Sequence, residues 1–258
     1  MVIKFWFSGF QVGVVDQCSF DKLLEMDDYN DIIGIDCSDC KLKELPRLPN
    51  SLMELDCNNN QLKELPELPS SLILVSFYRN KLSSLPKLPN SLEKIYCGNN
   101  KLKELPELPS SLIILNCGNN RLKRLPELPS SLKLLSCFEN NLIVLPEIPD
   151  SVEHLYCGNN KLKLLPKLPS DLNSLSYYSN CLTYLPKLPS KFQDCFYNRL
   201  NNPVDDYIHQ KCGGKLKIYY KVNTVFANKI GTWFLECKYN PKYKYCRDRV
   251  DKEYDELF

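Results

Sequence analysis

From residue 32 onward the chain repeats itself every 20 residues, and no other property restricts its fold as tightly. One copy reads Leu52-x-x-Leu55-x-Cys57-x-x-Asn60-x-Leu62-x-x-Leu65-Pro66-x-Leu68-Pro69. Full copies begin at Ile32, Leu52, Leu72, Leu92, Leu112, Leu132, Val152 and Leu172, and a partial ninth begins at Phe192 and loses the pattern after Tyr197. One such unit cannot bury its apolar side by itself, so units of this kind must stack on one another into a solenoid.

Each place in the repeat then has a physical task. Places one, four and six alternate along a short strand, so Leu52, Leu55 and Cys57 face one interior. Stacked strands form a parallel sheet with neighbours about 4.8 Å apart. Place nine is Asn60, Asn80, Asn100, Asn120, Asn140, Asn160 and Asn180, with Cys40 in the first copy. These amides can satisfy backbone groups where the chain leaves each strand, forming a structural ladder. Every copy carries two prolines three apart, from Pro46 and Pro49 to Pro186 and Pro189. That spacing excludes an α-helix and favours extended polyproline-II geometry, so the convex side of a curved array is expected to be extended and nearly helix-free.

The segment Leu-Pro-x-Leu-Pro-x-Ser-Leu-x-x-Leu-x-Cys-x-x-Asn-x-Leu matches the leucine-rich-repeat signature. It resembles the short 20-residue repeats of type III-secreted bacterial effectors and the repeat proteins of giant DNA viruses of the mimivirus kind. The tail from Ala227 through Cys237, Pro241 and Cys246 to Val250 looks like the carboxyl-terminal segments of such viral proteins. The resemblance implies a leucine-rich-repeat solenoid that binds proteins. It also implies an alternative, because some bacterial relatives carry a ubiquitin-ligase domain with a Cys-x-Asp motif, and Cys246-Arg247-Asp248 has that spelling. That domain is several times longer than the tail here, which leaves nothing to position a thioester or lower the thiol pKa.

Lysine plus arginine number 33 and aspartate plus glutamate 31, a net charge of +2 that gives no footprint of a nucleic-acid binder. Lys41, Lys81, Lys101, Arg121 and Lys161 at place ten, with Lys43, Lys63, Lys103, Lys123 and Lys163 at place twelve, form a rim. Several are followed by glutamate, as in Lys63-Glu64, so the rim reads as a solvated mixed-charge edge. No window approaches the roughly 18 uninterrupted apolar residues of a membrane span, and the amino terminus lacks the basic lead and cleavage site of a signal peptide. The 13 cysteines are an odd number, which points to an intracellular, reducing compartment.

Cys37, Cys57, Cys97, Cys117, Cys137 and Cys157 share place six with Phe77, Tyr177 and Tyr197, so the column needs apolar bulk and not thiol chemistry. Cys37-Ser-Asp-Cys40 has a CxxC spelling that the repeat itself dictates. His209, Cys212, Cys237 and Cys246 could supply zinc ligands, but their spacing matches no familiar finger. No metal or cofactor is therefore assigned, and no catalytic residue.

Places three, five and seven point out of the strand onto the concave face. There stand Leu74, Tyr78, Tyr96, Ile114, Leu134, Phe138, His154, Tyr156 and Tyr178. Aromatic and aliphatic anchors within a polar surround are the composition of interface hot spots. The same side chains could also pack on one another as cross-strand neighbours. The sequence therefore predicts a non-enzymatic interaction scaffold for a protein partner, expected to be a host protein, with no nucleic acid and no membrane.

Three parts are expected. Residues 1–31 form a cap, with a strand at Val2 to Phe7 and a short helix from Ser19, its N-cap, to Met26. Residues 32–200 form the solenoid. Residues 201–258 form an α-rich module, with a helix opening at Asn202-Pro203, a strand at Lys215 to Val222, and helices from Asn228 and Pro241.

Overall fold

A period of 20 in the sequence becomes a period of 20 in the sheet. In the computed structural model, three-residue strands recur as β3 (Gly34–Asp36), β4 (Glu54–Asp56), β5 (Leu74–Ser76), β6 (Lys94–Tyr96), β7 (Ile114–Asn116), β8 (Leu134–Ser136), β9 (His154–Tyr156) and β10 (Ser174–Ser176). Neighbours pair in parallel with residues 20 apart opposed, as in Leu55↔Val75 and Leu135↔Leu155. Two further strands, β1 (Val2–Trp6) and β2 (Val12–Asp16), form an antiparallel hairpin whose β1 pairs with β3. At the other end β11 (Asp194–Cys195) pairs in parallel with β10, where the partial ninth copy begins. The structure describes residues 2–8, 12–16, 20–182, 186 and 194–195. The chain divides into two units, Met1–Asn198 and Arg199–Phe258. The second unit lies outside the described residues, and with it the helices and strand expected after Asn202.

Inter-coil bonding runs beyond the three strand residues. Met53 offers its carbonyl to both Ile73 N–H and Leu74 N–H, and Cys57 N–H, Asn59 N–H and Lys81 N–H extend the stacking to place ten. The interior holds the columns that the repeat predicts. Places one, four and six are fully buried from Ile32, Ile35 and Cys37 to Leu172, Leu175 and Tyr177. Phe77 fits because thiols, not larger side chains, stand in the same column on both sides of it. The proline-bearing part of each of the first seven coils is neither helix nor strand, and no helix occurs between residues 32 and 182.

Place eight reverses the chain through left-handed backbone. Its φ is 54° at Asn59, 55° at Asn99 and 53° at Asn119, where asparagine tolerates this geometry. Arg79, Glu139 and Ser179 are held there too, at about 1–2 kcal/mol each by the Cβ clash. The coil demands the conformation whatever the residue.

The amino-terminal segment corrects one expectation. Helix α1 spans only Asp21–Leu24, and its N-cap is Phe20, which makes no side-chain capping bond, rather than Ser19. Burial of Phe20 and Leu23 fixes this turn in place of a hydroxyl cap. A 3-10 turn at Tyr29–Asp31 then leads into the first coil, where buried Tyr29 donates its hydroxyl to the Arg47 carbonyl at 2.5 Å. Burial pushes the Tyr29 hydroxyl up to about 12, against a smaller lowering by the Arg47 guanidinium. Strand β2 was not foreseen from the sequence. Gly13 permits its hairpin with β1 to close, since a Cβ there would sit 2.1 Å from the Phe5 ring, and Gly34 likewise permits β1 to pair with β3, since a Cβ there would sit 1.9 Å from the Trp6 ring.

Candidate protein-binding face of the sheet

The face is held in place by two ladders. Asn120 donates through Nδ2 to the carbonyls of Cys97 at 3.0 Å, Cys117 at 3.1 Å and Gly118 at 3.4 Å, and its Oδ1 accepts from Leu102 N–H at 3.0 Å. The same four contacts recur from Asn60, whose Oδ1 accepts from Leu42 N–H at 2.9 Å, to Asn180, whose Oδ1 accepts from Leu162 N–H at 3.0 Å. From Cys57 to Cys157 each place-six carbonyl therefore serves two asparagines; that of Cys97 takes Asn100 and Asn120. The predicted structural column is thus a continuous bonded element through Asn60, Asn80, Asn100, Asn120, Asn140, Asn160 and Asn180.

A second ladder went unread in the sequence. Ser71 donates its hydroxyl to the Leu52 carbonyl at 2.7 Å, and Ser51, Ser91, Ser111, Ser131 and Ser151 repeat the bond one coil apart. Its signal was the serine recurring at place 20, immediately before the first apolar place of the next copy.

The strands bring the predicted face residues into rows. Leu74, Ile114, Leu134 and His154 lie in the place-three row with Lys94, because the register opposes Leu74↔Lys94, Lys94↔Ile114, Ile114↔Leu134 and Leu134↔His154. Tyr96 and Tyr156 share the place-five row with Asn116 and Ser136. Tyr78, Phe138 and Tyr178 sit two residues further along their coils. All nine side chains are half-buried rather than fully exposed.

The partial burial has a specific origin. A Cβ at Gly118 would lie 2.4 Å from the Phe138 ring, and one at Gly158 would lie 2.3 Å from the Tyr178 ring. These rings lean across one coil into the space that glycine leaves. Coils with an aromatic at place seven carry a buried serine at place five: Ser76, Ser136 and Ser176. Coils with glycine at place seven carry Tyr96, Asn116 or Tyr156 at place five. Each of the third to eighth coils thus presents one bulky side chain at one of two places, never both.

The imidazole of His154 stacks on the Tyr156 ring at 6.5 Å with planes 12° apart, and its Nδ1 is buried without a hydrogen-bond partner. Arg79 lies over the Tyr78 ring at 5.7 Å. The opposite end of the sheet is acidic, with Asp36 and Asp56 opposed in register. Burial raises the Asp56 carboxyl above its ordinary value; the Asn58 N–H bond opposes this, while Asp36 and Asp39 add to it.

The place-six thiols are unfit for nucleophilic work. Burial pushes the Cys97 thiol up to about 12 and raises Cys57, Cys117 and Cys137 well above the usual thiol range. Cys37 is a free thiol while Cys40 is disulfide-bonded, so the CxxC spelling is not a bridged pair, and the partner of Cys40 lies outside the described residues. That bond departs from the expectation of thiols throughout. Among the described residues no three His, Cys, Asp or Glu side chains cluster as metal ligands. No helix of the described residues is long and apolar enough to cross a membrane. His209, Cys212, Cys237, Cys246 and Asp248 lie outside the described residues.

Solved structures bear directly on this architecture. The leucine-rich-repeat domain of a Shigella effector is 33% identical, over 57% of this chain and 70% of its own, with a TM-score of 0.53. The chain belongs to the leucine-rich-repeat proteins. YopM from Yersinia enterocolitica WA-314 is 38% identical to this leucine-rich-repeat chain, with a TM-score of 0.63 over 65% of it. YopM from Yersinia pestis, described as a leucine-rich effector protein, is 32% identical with a TM-score of 0.51 over 65% of it. The chain spans 37% of the first YopM and 61% of the second. No family model matches the chain, and no curated protein matches it.

Proposed function

We propose that this leucine-rich-repeat protein is a non-enzymatic scaffold that captures a protein partner on the concave face of its sheet. The observation that carries the reading is the registered row of Leu74, Ile114 and Leu134, flanked by Tyr96, Tyr156 and the tilted rings of Tyr78, Phe138 and Tyr178. Half-buried aromatics make large contact area at low entropic cost, because packing beneath them has already fixed their rotamers. Likeness to bacterial effectors, and the resemblance of the repeats to giant-virus proteins, support a host protein as the partner. The odd number of cysteines, 13, supports work in a reducing compartment of the cell, in which the Cys40 disulfide would have to persist. In this reading residues 1–31 cap the array, residues 32–200 form it, and residues 201–258 are an α-rich cap or docking module.

Full chain and a Leu134→Asp/Tyr156→Ala variant, immobilised at equal density, are exposed to host-cell extract and their bound proteins compared by quantitative mass spectrometry. A specific protein should be retained by the wild type and depleted at least about ten-fold from the variant, with melting little changed. Equal retention refutes the reading. A ubiquitin thioester trapped on Cys246, abolished by Cys246→Ala, would replace it with the ligase alternative.

A further inference from the structure

We infer that places twelve and thirteen of the fifth to seventh coils form a second docking ridge, separate from the sheet face, for an acidic peptide segment that carries an apolar side chain. In the first seven coils the leucine at place eleven is buried or half-buried and the next two residues are exposed. Inter-coil bonds beside them fix their alignment: Arg121 N–H to Leu102 O at 2.8 Å, Asn141 N–H to Leu122 O at 2.9 Å and Lys161 N–H to Leu142 O at 2.8 Å. Residues 123, 143 and 163 therefore stack, as do 124, 144 and 164.

Early coils neutralise themselves here with Lys43-Glu44, Lys63-Glu64 and Lys103-Glu104. From the fifth coil the acid disappears, and the pairs become Lys123-Arg124, Ile143-Val144 and Lys163-Leu164. Ile143 is 61% exposed, Val144 49% and Leu164 43%. Half of the six exposed large apolar side chains of the described residues thus stand on one ridge, so chance scatter is a poor account of them. Exposed Arg121, Lys123, Arg124, Lys161 and Lys163 flank them, and none of the five is ion-paired among the described residues. The acids of these three coils, Glu127, Glu139, Glu147, Asp150, Glu153 and Asp171, occupy places two, eight, sixteen, nineteen and twenty, outside the ridge.

Charge and shape together select the occupant. Cations on the fifth and seventh coils stand about 4.8 Å on either side of the Ile143-Val144 coil. An extended peptide places alternate side chains about 6.8 Å apart, within reach of long lysine and arginine side chains, so an apolar residue between two carboxylates fits. Nucleic acid gains little, because branched aliphatics offer no face for base stacking. Val144 and Leu164 are half-sunk among their neighbours, which suits a peptide laid along the ridge better than entry into a bilayer.

The test uses the full chain against a random twelve-residue peptide library displayed on phage, with vesicles containing phosphatidylserine as a second arm. Enriched peptides should combine Asp or Glu with Leu, Ile or Phe. Their binding should fall at least about ten-fold in Ile143→Ser/Val144→Ser and in Lys123→Glu/Arg124→Glu, all exposed changes, with the melting transition unmoved. Binding to Leu134→Asp/Tyr156→Ala should persist, which separates this ridge from the sheet face whatever becomes of that reading. The inference is overturned if no peptide is enriched, if enriched peptides lack the acid-apolar pairing, or if they bind the ridge variants as well as wild type. Retention on the vesicles that is lost in Ile143→Ser/Val144→Ser overturns it in favour of a lipid surface.

Discussion

Replacing Asn120 by alanine tests the physical basis of the whole array. The amide supplies the acceptor for Leu102 N–H at 3.0 Å, and alanine leaves that donor buried with no substitute among the described bonds. An orphaned buried donor costs about 1–3 kcal/mol. The carbonyls of Cys97 and Cys117 suffer less, because Asn100 and Asn140 still donate to them at 3.2 and 3.0 Å. Adding a partial loss at each, about 0.5 kcal/mol, brings the expected cost to about 2–4 kcal/mol. That is a large share of the roughly 5–15 kcal/mol holding an ordinary domain together. Urea unfolding of the full chain, followed by far-ultraviolet circular dichroism and by tyrosine fluorescence, reads it as a lower midpoint. Asn119→Gly is the control: its side chain bonds only Asn99 on the exposed edge, at 2.8 Å, and glycine accepts its φ of 53°. The control should stay within about 0.5 kcal/mol of wild type. A cost below about 1 kcal/mol for Asn120→Ala would show that coil stacking, and not the amide ladder, determines stability.

Two further outcomes follow from the packing. Gly118→Ala should cost about 1–3 kcal/mol, because its Cβ would lie 2.4 Å from the Phe138 ring, and most of that cost should vanish in a Phe138→Ala background. Additive costs in this double-mutant cycle would deny that ring and glycine form one packed unit. The buried thiols predict alkaline sensitivity: with Cys97 raised from near 9 to about 12, the folded state holds its proton where the unfolded state has lost it. That stability is fully present below pH 9 and is lost as pH rises toward 12. By pH 10.5 it amounts to about 2 kcal/mol for this thiol. The stability difference between pH 8 and 10.5, measured by urea unfolding, should shrink by about that amount in Cys97→Ala, and an unchanged difference would contradict a thiol buried in neutral form.

How much of this was legible in the sequence depends on whether a column acts within its own place or between places. The solenoid, the buried leucines and thiols, and the asparagine ladder were readable because each residue meets its own equivalent 20 positions away. A fixed period is enough to define such a contact. Ser19 failed as a cap because the hairpin and the burial of Phe20, neither of them periodic, decide where α1 begins. The levelling of the sheet face failed for a different reason: it couples place five with place seven and one coil with the next. Its signal was nevertheless present, since Ser76, Ser136 and Ser176 accompany Tyr78, Phe138 and Tyr178, whereas Tyr96, Asn116 and Tyr156 accompany Gly98, Gly118 and Gly158. Strand alternation predicts which side chains point outward, but the ring-on-glycine exchange determines how far they stand out. Under the proposed function, a partner on this face would meet a nearly level surface whose bulk shifts between two lines from coil to coil. Its selectivity would then reside in the order of the two coil types along the array. Exchanging Ser136 and Phe138 for Tyr and Gly would alter that order without removing an anchor, and should change which partner binds more than how well the protein folds.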